Sequence, residues 1–459
     1  MADHLFNSVT DPVPPVRHDI ELIAVEDSGK HYIYLHDGMG YATPNMVLDR
    51  DFAGILHFFD GKRSISDILG DLSNGQSASA SGDEDGYADV EAHGDRDGDE
   101  DRGGGSDGNG ESDAEGEVNI DGNGDAPARR LLDIIRYLDE NGLLQSPFYR
   151  AKKRETEELF EAATIRMPVC AGSSYPDSPV AIRALFDEAF SRVQPAADDV
   201  IKALYAPHID IRIGLDVYAR AFSPLKNLRP KRVVILATSH YAGLYYPYYD
   251  NLPFMVSRKD FQTPLGRLKC DSAFCERLAE AGDEAGVTLR DRSHRIEHSI
   301  ELHLLFLQYL WDHEFSIVPV LVGPLEELMY MNGSHQSGQV EKFSALLRSL
   351  MDDDTLVLIS GDQAHVGRKF GDRVPASELF EDVRAFDRQF LDQAAGGSAE
   401  GILEQVRAVS DEYRICGFSP LYTWLKTAGN AKGRVTAYDL WDEQERESAV
   451  SYGSVLFTS

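Results

Sequence analysis

The chain has no basic surplus to offer a polyanion. It carries 45 Lys and Arg against 77 Asp and Glu, a formal net charge of -32. That balance argues against nucleic acid or an anionic membrane as a partner, since both are bound through basic faces. No run reaches the roughly 18 apolar residues that a membrane span needs. The opening Met-Ala-Asp-His-Leu-Phe-Asn-Ser lacks the basic region and apolar stretch of a secretory signal. These absences predict a soluble, cytoplasmic protein without membrane contact. Cysteine is scarce too: Cys170, Cys270, Cys275 and Cys416 form no C-x-x-C pair, and four in so long a chain are not a disulfide framework. A cysteine with a special role must therefore be recognised from its neighbours.

Large apolar residues almost vanish between positions 73 and 127. From Ser81 to Asp125 there are 17 acidic residues against two basic ones, nearly half of the net charge. Such a segment cannot offset its ordering entropy, so a disordered acidic insert is expected at 73–127. Asp95-x-Asp97-x-Asp99 and Asn119-x-Asp121-x-Asn123-Gly124 invite a calcium-loop reading, but the glutamate needed at the twelfth position is replaced by Ser106 and Arg130. A solvated spacer fits better.

Both flanks of that spacer are patterned. Ile20–Val25, His31–Leu35 and Met46–Leu48 read as strands, Phe52–Phe59 has helical spacing, and Ser64 has the place of an N-cap. The amphipathic pattern resumes at Leu131 and stops at Asn141-Gly142, a helix-ending pair. The sequence thus predicts a small α+β domain over 1–153, interrupted by the insert, and a larger α/β domain over 160–459. Shorn of the insert, the first resembles PqqD-like, winged-helix-like modules that present peptides or dock partner proteins.

The chemistry concentrates in the second domain. Asp354-Thr-Leu-Val-Leu-Ile-Ser-Gly-Asp-Gln-Ala-His-Val-Gly367 is a buried-strand pattern followed at once by polar residues. In open α/β sheets, ligands sit beyond the carboxyl ends of strands. Lys231–His240 and Ala203–His208 repeat the design, so three runs deliver His208, His240 and Asp362 with His365 to equivalent positions. His294-Arg-Ile-Glu297-His298 also fits the H-x-x-E-H pattern of inverted zinc peptidases, a short motif of little specificity. Residues 296–310 are expected to form a buried helix opened by Glu297-His298, and Ser419-Pro420 to begin another just after Cys416. Cys270 and Cys275 are expected in the core, and Thr263-Pro-Leu-Gly266 in a turn.

From Arg166 onward the order of motifs closely resembles the Memo family, the B protein of the AmmeMemoRadiSam set. The matching residues are Ala171-Gly-Ser-Ser-Tyr-Pro176, Pro207-His208, Ser239-His240, Thr263-Pro-Leu-Gly266, Glu297-His-Ser-Ile-Glu301, Val318-Pro-Val-Leu-Val-Gly323, Ser360-Gly-Asp-Gln-Ala-His365 and Cys416-Gly417. The resemblance implies a three-layer α/β sandwich like that of class III extradiol (LigB-like) dioxygenases. It implies His208, His240 and Cys416 as metal ligands, with Asp362, His365, Glu297 and His298 as catalytic groups around them. Two imidazoles and a thiolate suit Cu(I), Fe(II) or Zn(II) rather than Mg or Ca. The expected function is redox or oxygenase-like, with radical-SAM and AMMECR-type partners and a small-molecule or peptide ligand; the alternative is a non-catalytic module that binds a peptide or partner in the dioxygenase-like cleft. The chain departs from the family at Ile209-Asp210, Gly361 and Val366, changes expected to reshape the pocket wall.

Overall fold

The computed structural model describes residues 4–27, 29–44, 46–73, 126–193 and 200–458. Most of the acidic insert lies outside them. Ser73, Ala126 and Pro127, assigned to it from sequence, instead belong to helices. The chain divides into two units, one ending at Leu159 and the other starting at Phe160.

In the first unit, β1 (Ile20–Asp27), β2 (Lys30–Asp37) and β3 (Met46–Asp49) form an antiparallel sheet. The helical spacing after Met46 resolves into one α-helical turn, Arg50–Ala53, and a 3-10 turn, Gly54–Phe58. Helix α1 (Ile65–Ser73) starts at a capping box: Asp67 N–H donates to Ser64 Oγ at 3.2 Å, and Ser64 N–H donates to the Asp67 carboxylate at 2.9 Å. Helix α2 (Ala126–Glu140) ends where Gly142 takes a left-handed φ of 77°, followed by α3 (Pro147–Ala162). Ile65 and Ile68 of α1 share one core with Leu131, Ile135 and Leu138 of α2. The helices on either side of the acidic stretch therefore bury the same apolar surface.

The second unit is built on one mixed sheet. Its strands relevant to the site are β4 (Ile201–Ala206), β5 (Arg232–Thr238), β6 (Asp260–Thr263), β7 (Gly266–Cys270), β8 (Ser316–Val322), β9 (Thr355–Ser360), β10 (His365–Gly367), β11 (Lys432–Glu443) and β12 (Ser448–Thr458). The centre runs parallel in the order β4-β9-β5-β8, and β12 and β10 continue it antiparallel beyond β4. The apolar runs Val-Val-Ile-Leu-Ala in β5 and Leu-Val-Leu-Ile in β9 are buried on both faces, as a central parallel sheet requires.

Side chains alternate across the sheet. Val234, Leu236, Val357 and Ile359 join a core with Phe343, Leu347 and Leu421, from helices His335–Leu350 and Phe418–Ala428. The opposite layer holds helices Ile211–Phe222 and Glu301–Leu310, where Phe306 stacks on Tyr218 and Phe222 at 4.7 and 4.9 Å. The expected α/β layering is thus what forms.

Two helix boundaries differ from the sequence reading. The buried helix begins at Glu301, leaving Glu297 and His298 in the preceding irregular segment. The later helix begins at Phe418 with Gly417 as its cap, so Ser419 and Pro420 lie inside its first turn. The Thr263–Gly266 turn forms as expected: it joins β6 to β7, with Gly266 at φ 136°.

Candidate metal centre

Register brings the three strand ends together. Ser360 at the end of β9 pairs with Ala206 of β4 on one side and with Ala237 of β5 on the other. His208, His240 and Asp362 each follow two residues after a strand end, so each enters the same crevice. Cys416 arrives from the loop before the Phe418–Ala428 helix. The candidate ligand atoms of His208, His240 and Cys416 lie within 4.8 Å of one another, and so do those of His240, Glu297 and His298, and those of Asp362, His365 and Cys416. Every sequence-nominated site residue is therefore brought to one place.

The hydrogen bonds fix which ring atoms face the crevice. Ser360 Oγ donates its one proton to the Ser299 carbonyl at 2.7 Å. It must therefore accept from His208 Nδ1 at 3.0 Å and from His303 Nε2 at 2.8 Å, using both lone pairs. His208 is thus protonated on Nδ1, and its Nε2 lone pair faces Cys416 Sγ at 3.3 Å. Burial lowers His303 to a pKa of about 3, with His298 nearby adding to the effect, so His303 stays neutral.

His240 is oriented by a carboxylate. Glu297 accepts from the His240 backbone N–H at 2.8 Å and from its Nδ1 at 2.9 Å, which turns Nε2 toward the crevice. Burial alone would raise the Glu297 carboxyl; the charge and ring hydrogen bond of His240, then His298, outweigh it and draw it down to about 2. The His298 ring lies against that of His240 at 4.8 Å. His365 uses Nδ1 to donate to the carbonyls of Arg414 and Gln363, at 3.0 and 3.2 Å. Asp362 accepts from the His208 backbone N–H at 2.9 Å, while its own N–H points at Cys416 Sγ, 3.2 Å away. That donor, together with the helix starting at Phe418, favours a thiolate.

Two imidazole lone pairs and a sulfur thus converge, each backed by a second partner, which is the outer-shell pattern of protein metal sites. The donor set fits a transition metal.

Close backbone packing holds Cys416 in reach. A Cβ on Gly361 would stand 2.2 Å from Gly417 Cα, so the loop can approach β9 only because both residues lack side chains. Ile209, another departure from the family pattern, has its Cγ2 where a Cβ on Gly214 would be, at 2.6 Å. Asp210 caps the helix beginning at Ile211, accepting from Arg212 N–H at 2.7 Å.

Beneath the site, buried Arg166 donates to the carbonyls of His294 and Glu297 and pairs with Glu301, which also accepts from Tyr175 and from the backbone of Val169 and Cys170. His294 is held away from the crevice, its Nε2 on the Met255 carbonyl at 3.0 Å, so the H-x-x-E-H reading does not describe the site. His303 and Ser299 were missed from sequence. The available signal was a histidine inside the otherwise apolar run Leu302–Leu307.

A family model described as "Memo-like protein" matches residues 166–456. The chain belongs to the Memo family. Among its relatives, a MEMO1 family protein of Aquifex aeolicus is 29% identical over 339 residues, covering 72% of this chain and 83% of the relative. One of Thermus thermophilus is 30% identical, covering 72% and 93%. One of Pyrococcus furiosus is 28% identical, covering 64% and 98%. A 72% span exceeds what the Memo match occupies, so the two bacterial alignments reach into the first unit. Among the described residues, no helix is long and apolar enough to cross a membrane.

Proposed function

We propose that this Memo protein binds Cu(I) or Fe(II) through His208, His240 and Cys416 and carries out redox or oxygenase-like chemistry in the crevice. The observation that supports this most directly is the convergence of the donors: the candidate ligand atoms of His208, His240 and Cys416 lie within 4.8 Å of one another, while Ser360 and Glu297 hold the Nδ1 atoms of the two rings. Zn(II) fits the same donors. A bound redox metal would supply one-electron chemistry that the side chains lack.

The chain's own groups would do the rest. His365, with Nδ1 fixed as a donor, offers Nε2 as a proton acceptor beside Asp362, while Glu297 keeps His240 and His298 in place. The proposed partners are radical-SAM and AMMECR-type proteins, with the first unit as the docking module and a small molecule or peptide as ligand. A cytoplasmic location and the extradiol-like fold kinship belong to the same reading.

Anaerobic loading with Fe(II) or Cu(I) followed by exposure to air, with oxygen uptake recorded, tests the chemistry. Uptake that disappears in Cys416→Ser and slows in His365→Ala is expected. Uptake unchanged in both variants would reject the site as its source.

A second reading is a non-catalytic module that holds a peptide or partner in the cleft while the first unit docks a radical-SAM protein; for the docking part it draws on the exposed apolar Leu22, Val25 and Val47 on the sheet of the first unit. Pull-down with and without residues 1–159 separates the readings. Partners that require this unit, with no oxygen uptake by the loaded protein, favour the module.

A further inference from the structure

Away from the crevice, Cys270 and Cys275 meet. Cys270 is the last residue of β7, and Cys275 lies in the helix Ser272–Ala279. Between them Asp271 caps that helix: its carboxylate accepts from Phe274 N–H at 3.1 Å, and its carbonyl accepts from Cys275 N–H at 3.0 Å. The strand-to-helix corner places the two sulfurs 3.5 Å apart, each also 3.5 Å from the Ser257 carbonyl.

Regular structure holds both backbones. Cys270 pairs with Ile317 of β8 and donates its N–H to Asp260 at 3.1 Å. The two cysteines differ in exposure: Cys270 is partly exposed, whereas Cys275 is wholly buried. A cavity of about 620 Å³ adjoins this corner, with Arg258, Ser272 and Glu276 in its lining.

We propose that Cys270 and Cys275 form a thiol–disulfide exchange site, with Cys270 as the attacking and Cys275 as the resolving cysteine, whose substrates are low-molecular-weight disulfides such as oxidised glutathione. An accessible thiol poised beside a buried one is the arrangement such chemistry needs. The Cys275 thiol is pushed up, first by its hydrogen bond to Cys270 and then by burial, which suits it to the second, resolving step.

Deprotonated Cys270 attacks one sulfur of the small disulfide, whose S–S bond breaks. The departing thiolate takes up the proton that Cys270 released. Cys275 then loses its proton, attacks Cys270 Sγ and expels the second small thiolate, which takes that proton. Two protein thiols are oxidised and one small disulfide becomes two thiols. Closing the bond brings the sulfurs from 3.5 Å to about 2.05 Å.

The test uses metal-free, full-length protein incubated with oxidised glutathione, then intact-mass measurement and peptide mapping without reductant. The wild type should lose the mass of two hydrogens through a Cys270–Cys275 link and regain it with dithiothreitol. Cys275→Ser, or Cys275→Ala should the serine disturb folding, should accumulate a glutathione adduct on Cys270, and Cys270→Ser should form neither product. Wild-type protein that keeps both thiols, stops at an adduct on Cys270, or links either cysteine elsewhere overturns the proposal. Adducts on Cys170 or Cys416 map to other peptides and leave the reading unaffected.

Discussion

A single hydroxyl decides the state of His208. Ser360 Oγ spends its proton on Ser299 and therefore receives one from each histidine. Ser360→Ala should weaken metal binding by about 10- to 100-fold, the usual cost of losing an outer-shell partner. Competition against a chelator checks the affinity, and ¹⁵N shifts of His208 in metal-free protein check the tautomer. Asp387 makes a different prediction. Burial raises its carboxyl to about 7 against the hydrogen bonds from Ser451 and Tyr438. The native state thus holds a proton that the unfolded chain releases near pH 4. The stability this gives is fully present below that pH and is lost as pH rises toward 7, by about 1.4 kcal/mol per unit. Urea unfolding of Asp387→Asn should show a shallower decline than wild type over pH 4–7; equal slopes would remove Asp387 as the cause.

Elements carry these residues into place, and here sequence and structure part in instructive ways. The strand ends were legible because β-branched runs stop abruptly at polar residues; β4, β5 and β9 deliver His208, His240 and Asp362 where the pattern put them. The start of the Glu301 helix was not legible. Ile296 and Ile300 keep helical spacing, yet the Glu297 side chain is taken by His240 and its carbonyl by Arg166, contacts 57 and 131 residues away in the chain. Such partners leave no local trace. His303 did stand out as a histidine in an apolar run, but its contact with Ser360 crosses from a helix to a strand end and was not readable locally. Gly361, counted among the changes expected to reshape the pocket wall, is a point of close backbone packing against Gly417. Gly361→Ser must displace Gly417 and with it Cys416. The variant should lose about 1–3 kcal/mol of stability from overpacking and bind metal more weakly, as thermal unfolding and chelator competition would show. Unchanged values in both would mean that the Cys416 loop has slack.

At the scale of the molecule, charge and chemistry are separable. Residues 75–125 carry roughly half the net charge, while α1 and α2 on either side share one core. Loop-closure cost changes by only about 0.6 kcal/mol per doubling of length. Deleting 75–125 should leave melting temperature and metal content nearly unchanged and lower solubility; an unfolded first unit would show that the segment has a structural role. The family and the α/β fold were readable from pattern and motif order, whereas the identity of the metal lies in chemistry that only binding can report. The most direct test is therefore an anaerobic titration of the full-length protein with Cu(I) and with Fe(II), on wild type and on Cys416→Ser. The account predicts one tight site in the wild type and at least tenfold weaker binding in the variant; equal affinity in both proteins would contradict it.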